Sequence, residues 1–207
     1  SRLGDDLFAS DPYLAARVRG LLGRSALLVG DYYRAGRLLD QAATQLRTQP
    51  QTASLRGLML ANGARATFYL GAYEKAAELF SQAAKLFDKR PDMALDAMLG
   101  AVHALSFSEQ SERAEEVLAR AAALLDSLAV DKREPARRNL MLDRALWMIA
   151  RGKREEAIDE FKKAASLARE AGDVRTAAVA HTNLAELYND AGEEEKALSQ
   201  ARSAIKW

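Results

Sequence analysis

Two histidines are the first residues to consider for chemistry, because imidazole serves both acid–base catalysis and metal binding. They are His103 and His181, which stand 78 residues apart in a chain of 207 residues that contains no Cys. Neither has a second His or a Cys at the spacing of a metal site, and without Cys no thiolate zinc site or thiol nucleophile can form. The sequence therefore predicts neither a metal site nor a histidine-based catalytic site.

Adjacent carboxylates are the other candidates for acid–base chemistry. The pairs Glu115-Glu116 and Glu155-Glu156 and the run 193–195 each open a stretch with helical periodicity. A carboxylate in the first turn of a helix interacts favourably with the helix dipole. Nothing in the neighbouring sequence indicates the desolvated pocket that a catalytic carboxylate requires. We predict that these residues stabilise helix starts.

Three further classes of site are excluded by motif and composition. The segment 20–23, Gly-Leu-Leu-Gly, lacks both the Lys-Ser/Thr pair and the preceding strand of a phosphate-binding loop. A net charge of +1 gives no general attraction to nucleic acid. No apolar run approaches the ~20 residues that a membrane-spanning helix needs. We therefore expect no enzyme activity, no cofactor, no nucleic acid partner and no membrane span.

Proline and glycine recur in the sequence with a common period. The four prolines are separated by 38, 41 and 44 residues: Pro12, Pro50, Pro91 and Pro135. Proline is tolerated at the start of a helix and not in its interior, so each is expected to begin a helix pair. Helix-ending glycines repeat in steps of about 40 if Glu109 fills one slot: Gly30, Gly71, Gly152 and Gly192. Two independent series thus indicate repeats of about 40 residues.

Within each period, apolar residues recur at helical spacing. In the segment 73–87 they stand at positions 73, 76, 80, 83 and 87, which is one stripe of an amphipathic helix. The alternation typical of strands is absent. Ten helices in five hairpins are predicted: 12–29 and 32–48, 52–70 and 73–88, 92–107 and 111–127, 135–151 and 154–170, 174–191 and 194–207. Asp11, Asp92 and Asp173 are the predicted N-caps.

The hairpins share a motif of a turn glycine followed by small and bulky residues at fixed positions. It is present as Gly30-Asp31-Tyr32, Ala35, Leu39 and Ala42; as Gly71-Ala72-Tyr73, Ala76, Phe80 and Ala83; as Gly152, Ala157, Phe161 and Ala164; and as Gly192, Ala197, Ala201 and Ala204. The third hairpin has Glu109 in place of Gly but keeps Ala114, Leu118 and Ala121. This pattern resembles the tetratricopeptide repeat family, in the long-helix form of bacterial signalling and regulatory proteins and of kinesin light chains.

The resemblance implies an all-α fold, a right-handed α-solenoid of about five helix hairpins. It implies a single solenoid domain over 1–207, with repeat units at about 12–50, 51–90, 91–130, 131–172 and 173–207. The chain starts at Ser without a signal-peptide pattern, and we expect it to be a fragment of a larger protein. The cytoplasm is favoured over the periplasm, although the absence of Cys leaves the redox compartment open.

In this family the first helix of each hairpin, the A helix, lines a concave groove that binds peptides. The family register places ten residues of this sequence in the groove: Arg17, Arg24, Asn62, Arg65, Tyr69, His103, Asn139, Asp143, Asn183 and Glu186. Asn62 and Asn183 occupy the slot with which peptide-binding members hold the ligand backbone, and an Asn amide both donates and accepts. Arg24 and Arg65 can each bind a carboxylate through two hydrogen bonds. Gly20 replaces a lysine of the chaperone-tail clamp, so that clamp is incomplete here.

The same register assigns packing roles to other residues. It places His181 at the edge of a helix pair and His103 on the inner face, where it is either solvated or contacts a ligand. Tyr32 is expected in the core and Tyr33 on the surface. Trp147 is expected to pack between helices.

Charge and the chain ends suggest two further features. Residues 1–72 carry nine Arg and five Asp, a net +4, whereas residues 104–207 carry a net −2. This is either ordinary surface variation or a groove that is basic at its N-terminal end. Trp207 ends an apolar stripe without a polar capping helix, so this end either continued into further structure or binds a partner. Leu3, Leu7 and Phe8 suggest the stub of a preceding helix.

Two functional hypotheses follow. The first is a non-catalytic scaffold that binds a protein or peptide segment in the concave groove. The second is a regulatory or oligomerisation region of a multidomain bacterial signalling or transcription-regulatory protein, with self-association through the end near Trp207.

Overall fold

The chain folds almost entirely into helix pairs. The structure, a computed structural model, describes residues 11–206, and these contain ten α-helices, one short 3-10 turn at Pro50–Thr52 and no strand. The helices are α1 Pro12–Leu28, α2 Tyr32–Gln45, α3 Ala53–Tyr69, α4 Tyr73–Leu86, α5 Pro91–Phe107, α6 Ser111–Leu125, α7 Val130–Ala150, α8 Arg154–Glu170, α9 Val174–Asp190 and α10 Glu194–Ile205. The all-α fold and the ten predicted helices are confirmed. The predicted stub at Leu3, Leu7 and Phe8 lies outside the described residues.

The prediction that every proline begins a helix pair is wrong for Pro135. Pro12 and Pro91 are the first residues of α1 and α5, and Pro50 begins the turn that leads into α3. Pro135, however, lies inside α7, which starts at Val130. A proline there removes one backbone hydrogen bond. Other contacts support this first turn, including a bond of 3.0 Å from Arg133 Nε to the Leu128 carbonyl oxygen.

Aspartates cap three helices, and two of them were predicted. Asp11 accepts hydrogen bonds from the backbone N–H groups of Tyr13 and Leu14, both at 3.0 Å, and Asp173 accepts one from Thr176 at 3.1 Å. Asp31 caps α2 in the same way, although the sequence analysis did not single it out. The prediction for Asp92 is wrong.

Asp92 lies in the first turn of α5, which puts its carboxylate past the cap position. It instead accepts hydrogen bonds of 3.2 Å from Nε and Nη2 of Arg90. Arg90 is the residue that precedes the helix, and its side chain gives that helix end no capping bond.

Left-handed backbone turns close the hairpins where the glycine series predicts them. Gly30, Gly71, Gly152 and Gly192 have φ between +72° and +80°. Glu109 occupies the missing slot with φ +59°, and it is the single non-glycine residue with positive φ in the part of the chain that the structure describes. A side chain makes this conformation costly, by about 1–2 kcal/mol. Glu109 therefore keeps the left-handed conformation of the turn glycines although it carries a side chain.

The chain divides into two compact units, the first ending at Ser108 and the second beginning at Glu109. The first unit holds α1–α5, each packed against the next, with additional α1–α3 and α3–α5 contacts. The second holds α6–α10, also packed in sequence, with an additional α7–α9 contact. The two helices of the third predicted hairpin fall in different units. The single-domain organisation stays a prediction.

Small residues allow the helices of the first unit to pack closely. More than half of the buried apolar side chains among residues 11–206 are alanines. At Gly100 in α5, an added Cβ atom would lie 2.7 Å from Cε1 of Phe80 in α4. This distance is too short for a real contact, so the Phe80 ring occupies the space that the glycine leaves.

The core of the second unit surrounds Phe161. This ring on α8 is fully buried among side chains of α7, α8 and α9, including Leu142, Ala145, Leu184 and Tyr188. Trp147 is also buried, as predicted, and its indole Nε1 donates a hydrogen bond of 2.8 Å to the backbone oxygen of Ser111. Trp147 on α7 and Phe161 on α8 thus fill the space that the small alanine side chains leave.

Candidate peptide-binding surface

The predicted groove residues share one position pattern on the A helices α1, α3, α5, α7 and α9. These helices end at Leu28, Tyr69, Phe107, Ala150 and Asp190. Every predicted residue is either the last residue of its helix or lies four, seven or eleven residues before that end. Steps of three and four keep residues on the same side of a helix. We call this side the A face and describe it separately for each unit.

The A face of the first unit combines cations with aromatic rings. It contains six predicted residues: Arg17, Arg24, Asn62, Arg65, Tyr69 and His103. The three arginines and Tyr69 are exposed. Because α1 contacts α3 and α3 contacts α5, these residues belong to one continuous surface.

Asn62 is less accessible than the sequence suggests. Only 6% of its surface is exposed, and its Nδ2 donates a hydrogen bond of 2.9 Å to the Leu58 carbonyl oxygen. Its Oδ1 accepts a bond of 3.1 Å from Nη1 of Arg65. An amide can form about four hydrogen bonds, so one N–H and one lone pair remain for a ligand. In this structure, Asn62 orients the Arg65 guanidinium.

Aromatic rings connect the α1–α2 turn, the α3–α4 turn and the end of α5. Tyr32 stacks on Tyr69 at a centroid distance of 4.6 Å. Phe68 contacts Tyr69, Tyr73, His103 and Phe107 at 4.9–5.8 Å. Burial in this cluster lowers the pKa of His103, which favours its neutral form. Tyr33 is exposed, as predicted, whereas Tyr32 is half-buried in the cluster.

The A face of the second unit is acidic and rich in amides. Asn139, Asp143 and Asn183 are half-buried, and Glu186 is exposed. They lie on α7 and α9, which contact each other. Asn183 Nδ2 donates a hydrogen bond of 2.8 Å to the Val179 carbonyl oxygen, four residues earlier. Two of the three predicted asparagines, Asn62 and Asn183, therefore make the same helix contact, each seven residues before the end of its A helix.

Two ion pairs in the second unit, each with one buried partner, gave no signal in the sequence. Arg138 Nε bonds to Asp173 Oδ2 at 3.1 Å, with 9% of the Arg138 side chain exposed. Arg144 binds the buried Glu160 through Nε at 2.9 Å, and its Nη2 contacts the same oxygen. In the sequence, the partners are 35 and 16 residues apart, so helix periodicity gives no signal for either pair.

The two histidines lie in different units of the chain. Among residues 11–206, no group of three or more His, Cys, Asp or Glu side chains is placed to hold a metal ion. His103 belongs to the first unit and His181 to the second. His181 is half-buried at the edge of its helix pair, as predicted, with Nδ1 2.8 Å from Oε1 of Gln200. No helix in this part of the chain is long and apolar enough to cross a bilayer.

Comparison by sequence finds no relative: no family model matches, and neither does any curated protein. Comparison by structure finds many. The apo form of RapI aligns with 99% of this chain and 88% of its own, at a TM-score of 0.73 and 11% identity. A kinesin light chain with TPR-like repeats from Podosopora anserina aligns with 94% of this chain and 96% of its own, at a TM-score of 0.62 and 21% identity. TTC0263, a TPR protein of Thermus thermophilus, aligns with 93% of this chain and 91% of its own, at a TM-score of 0.64 and 24% identity.

These likenesses establish the fold. Each extends over nearly the whole chain, although at most 24% of the aligned residues are identical. The helix pairs therefore have the tetratricopeptide-type arrangement that the residue motif predicts. The role of this chain has to be argued from its own surfaces, because a fold hosts many functions.

Proposed function

We propose that this chain is a non-catalytic scaffold that binds a protein or peptide segment on the A faces of its helices. The observation that carries the proposal is the shared register. All ten candidate residues fall on one side of their A helices, and Asn62 and Asn183 make the same contact within the helix. The fold supports the proposal, because tetratricopeptide-type repeats present such faces as extended binding surfaces.

The A face of each unit favours a different ligand chemistry. In the first unit, Arg24 and Arg65 are exposed guanidinium groups that can bind a carboxylate through two hydrogen bonds. Beside them, the exposed ring of Tyr69 provides an apolar contact. In the second unit, the amide of Asn183 and the carboxylate of Glu186 can accept hydrogen bonds from peptide N–H groups or bind a basic side chain. We propose that the first unit binds the acidic part of the ligand.

The double variant Arg24→Ala/Arg65→Ala is expected to reduce partner capture from the source lysate at least about tenfold. Each charge-assisted contact contributes roughly 1.5–3 kcal/mol when it is shielded from water. The measurement is affinity capture followed by mass spectrometry, with wild type and variant side by side. Both residues are exposed, so the far-UV circular dichroism spectrum should stay native.

The matched control for this variant is Arg37→Ala/Arg47→Ala. It removes the same charge from exposed residues outside the A helices. It should capture the same partners as the wild type. Equal capture by all three proteins would rule out the A face of the first unit as the binding surface. If both variants lose capture equally, capture depends on the net charge of the protein and not on the A face.

A second candidate function, self-association in a regulatory or oligomerisation region, is favoured by helix α10. None of its residues is buried, and Leu198 and Ile205 are 58% and 84% exposed. We propose a dimer through this face. Light scattering coupled to gel filtration should show a mass that rises with concentration, and Leu198→Ser/Ile205→Ser should abolish that rise. A mass that stays monomeric at all concentrations would contradict it. Trp207, which first suggested this end, lies outside the described residues.

A further inference from the structure

We propose that the hairpin turns of the first unit form a docking edge for an anionic lipid surface. Six large apolar side chains are exposed at the α1–α2 and α3–α4 turns and at the end of α5: Leu28 by 85%, Val29 by 81%, Tyr33 by 77%, Tyr69 by 60%, Leu70 by 52% and Phe107 by 50%. We call them the turn-edge belt. Soluble domains rarely expose large contiguous apolar patches, and such patches mark protein or membrane contacts.

Ring contacts link the two turns and the end of α5 through Tyr69 and Phe107. Tyr32, the first residue of α2, stacks on Tyr69 at 4.6 Å. Tyr73, which follows the second turn, contacts Phe107 at the end of α5 at 5.3 Å. The α1–α2 turn, the α3–α4 turn and the end of α5 are therefore linked within the first unit. Packing against neighbouring rings also holds two belt members, Tyr69 and Phe107.

The belt is not a requirement of the helix hairpin. In the second unit, the two corresponding turns read Ala-Arg-Gly-Lys at 150–153 and Asp-Ala-Gly-Glu at 190–193. Leu28, Tyr69 and Phe107 are the last residues of their A helices, and their counterparts are Ala150 and Asp190. Helix pairs of this kind therefore close without large apolar side chains at the turn. The exposed rings and aliphatic chains of the first unit need another explanation.

The position and chemistry of the belt favour a bilayer over a protein partner. Its residues stand at the ends of α1, α3 and α5 and in the turns that follow α1 and α3. Leucine and valine side chains partition into the acyl boundary, whereas tyrosine favours the interface between water and lipid. A protein partner would have to supply a surface that follows both turns and the end of α5.

Charge identifies the lipid class. Residues 1–72 carry nine Arg and five Asp, with no Lys or Glu. Arg24 and Arg65 lie one turn before Leu28 and Tyr69, and Arg34 follows Tyr33 directly. Two carboxylates of the first unit lie close to the belt in sequence, Asp31 and Glu74, and Asp31 accepts a hydrogen bond from the backbone N–H of Arg34 at 3.1 Å. Arginines around an apolar edge attract anionic headgroups, and their long stems allow the charge to stay in water.

The test is co-sedimentation of the whole chain with vesicles. One set contains phosphatidylcholine with about 40 mol % phosphatidylglycerol, and the other contains phosphatidylcholine alone. The wild type should bind the anionic vesicles more strongly. The variant Leu28→Ser/Val29→Ser/Leu70→Ser should bind at least about tenfold more weakly, because insertion depends on the apolar area that reaches the lipid. All three residues are exposed, and circular dichroism checks that the fold is kept.

The matched control is Val130→Ser/Val174→Ser, which removes exposed apolar side chains from the first residues of α7 and α9 in the second unit. This control should bind vesicles as the wild type does. Wild-type protein that stays in the supernatant at every lipid concentration would overturn the proposal, and so would equal binding by the wild type and the belt variant. Equal loss in the belt variant and the control would also overturn it, because binding would then depend on general hydrophobicity.

A protein contact at the belt would give a different result. The wild type would ignore vesicles but form a larger species in gel filtration, and the belt variant would be monomeric. That outcome would also overturn the lipid proposal. No A-face partner is present in the vesicle experiment, and the belt variant leaves Arg24 and Arg65 intact. Failure of lipid docking and failure of peptide binding are therefore separate results.

Discussion

Phe161→Ala is expected to lower the free energy of unfolding by about 3–5 kcal/mol, the range for a buried Phe truncated to Ala. Phe161 is completely buried between α7, α8 and α9, and many of its neighbours are alanines. Small neighbours have no long side chains that could move into the cavity. The cavity should therefore persist, and the loss should lie near the upper end of that range.

Urea denaturation followed by circular dichroism measures this effect, and the midpoint of thermal unfolding should fall by more than about 10 °C. Phe107→Ala is the matched control. It makes the same chemical change at a half-exposed residue and should cost less than half as much. Equal losses in the two variants would show that Phe161 does not fill the core as described.

Asp173→Ala should lower the free energy of unfolding by about 3 kcal/mol or more, because the carboxylate has two functions. It caps α9 through the Thr176 N–H, and it neutralises the Arg138 guanidinium, which is almost fully buried. A lost cap costs about 1 kcal/mol, and a buried charge left without its partner costs roughly 3–5 kcal/mol. The matched control is Asp11→Ala, which removes a cap at the exposed start of α1 and should cost about 1 kcal/mol.

The double variant Arg138→Met/Asp173→Ala separates these contributions. Removal of both charges leaves no buried unpaired ion, so the double variant should be more stable than Asp173→Ala alone. If the double variant loses as much free energy of unfolding as Arg138→Met and Asp173→Ala lose together, the two side chains do not interact and the ion pair does not form.

The loss in Asp173→Ala should depend on pH in a defined direction. Burial alone would raise the pKa of Asp173, but hydrogen bonds from Thr176 and Arg138 outweigh it and hold the pKa below its ordinary value of 3.8. Its contribution to stability is therefore complete above about pH 4 and is lost as the pH falls through the lowered pKa. The difference between wild type and variant should shrink in strongly acidic buffer.

Sequence reasoning located the helices because the signals for them are local. Periodic apolar residues set the helix faces, and left-handed turns require glycine, so the helices and four of the turns were fixed within a few residues. Glu109 shows that the neighbouring repeats can impose the turn on a residue that disfavours it. Pro135 shows the reverse case, in which side-chain contacts to Leu128 and within α7 allow a helix to start five residues before a proline.

The sequence predicts which side of each A helix the candidate residues share. It does not predict which of their polar groups are already hydrogen-bonded within the protein. Counting back from the end of each A helix gives all ten residues, because spacing on a helix is a local property. It does not show that Asn62 is buried and already bound to Leu58 and Arg65. Nor does it show that Phe68 joins His103 and Tyr69 in one cluster, since those contacts link different helices. Such pairings depend on distances between helices, which periodicity does not encode.

The alanine-rich core has a consequence for the temperature dependence of stability. An alanine side chain removes a single methyl group from water, so unfolding exposes less apolar surface per residue than it does in a core of leucine and phenylalanine. The heat capacity of unfolding grows with exposed apolar area and falls with exposed polar area. A helical chain with this core should therefore have a small heat capacity increment. The curve of its free energy of unfolding against temperature should be broad. Cooling should lower that free energy less than it does in domains with larger core side chains.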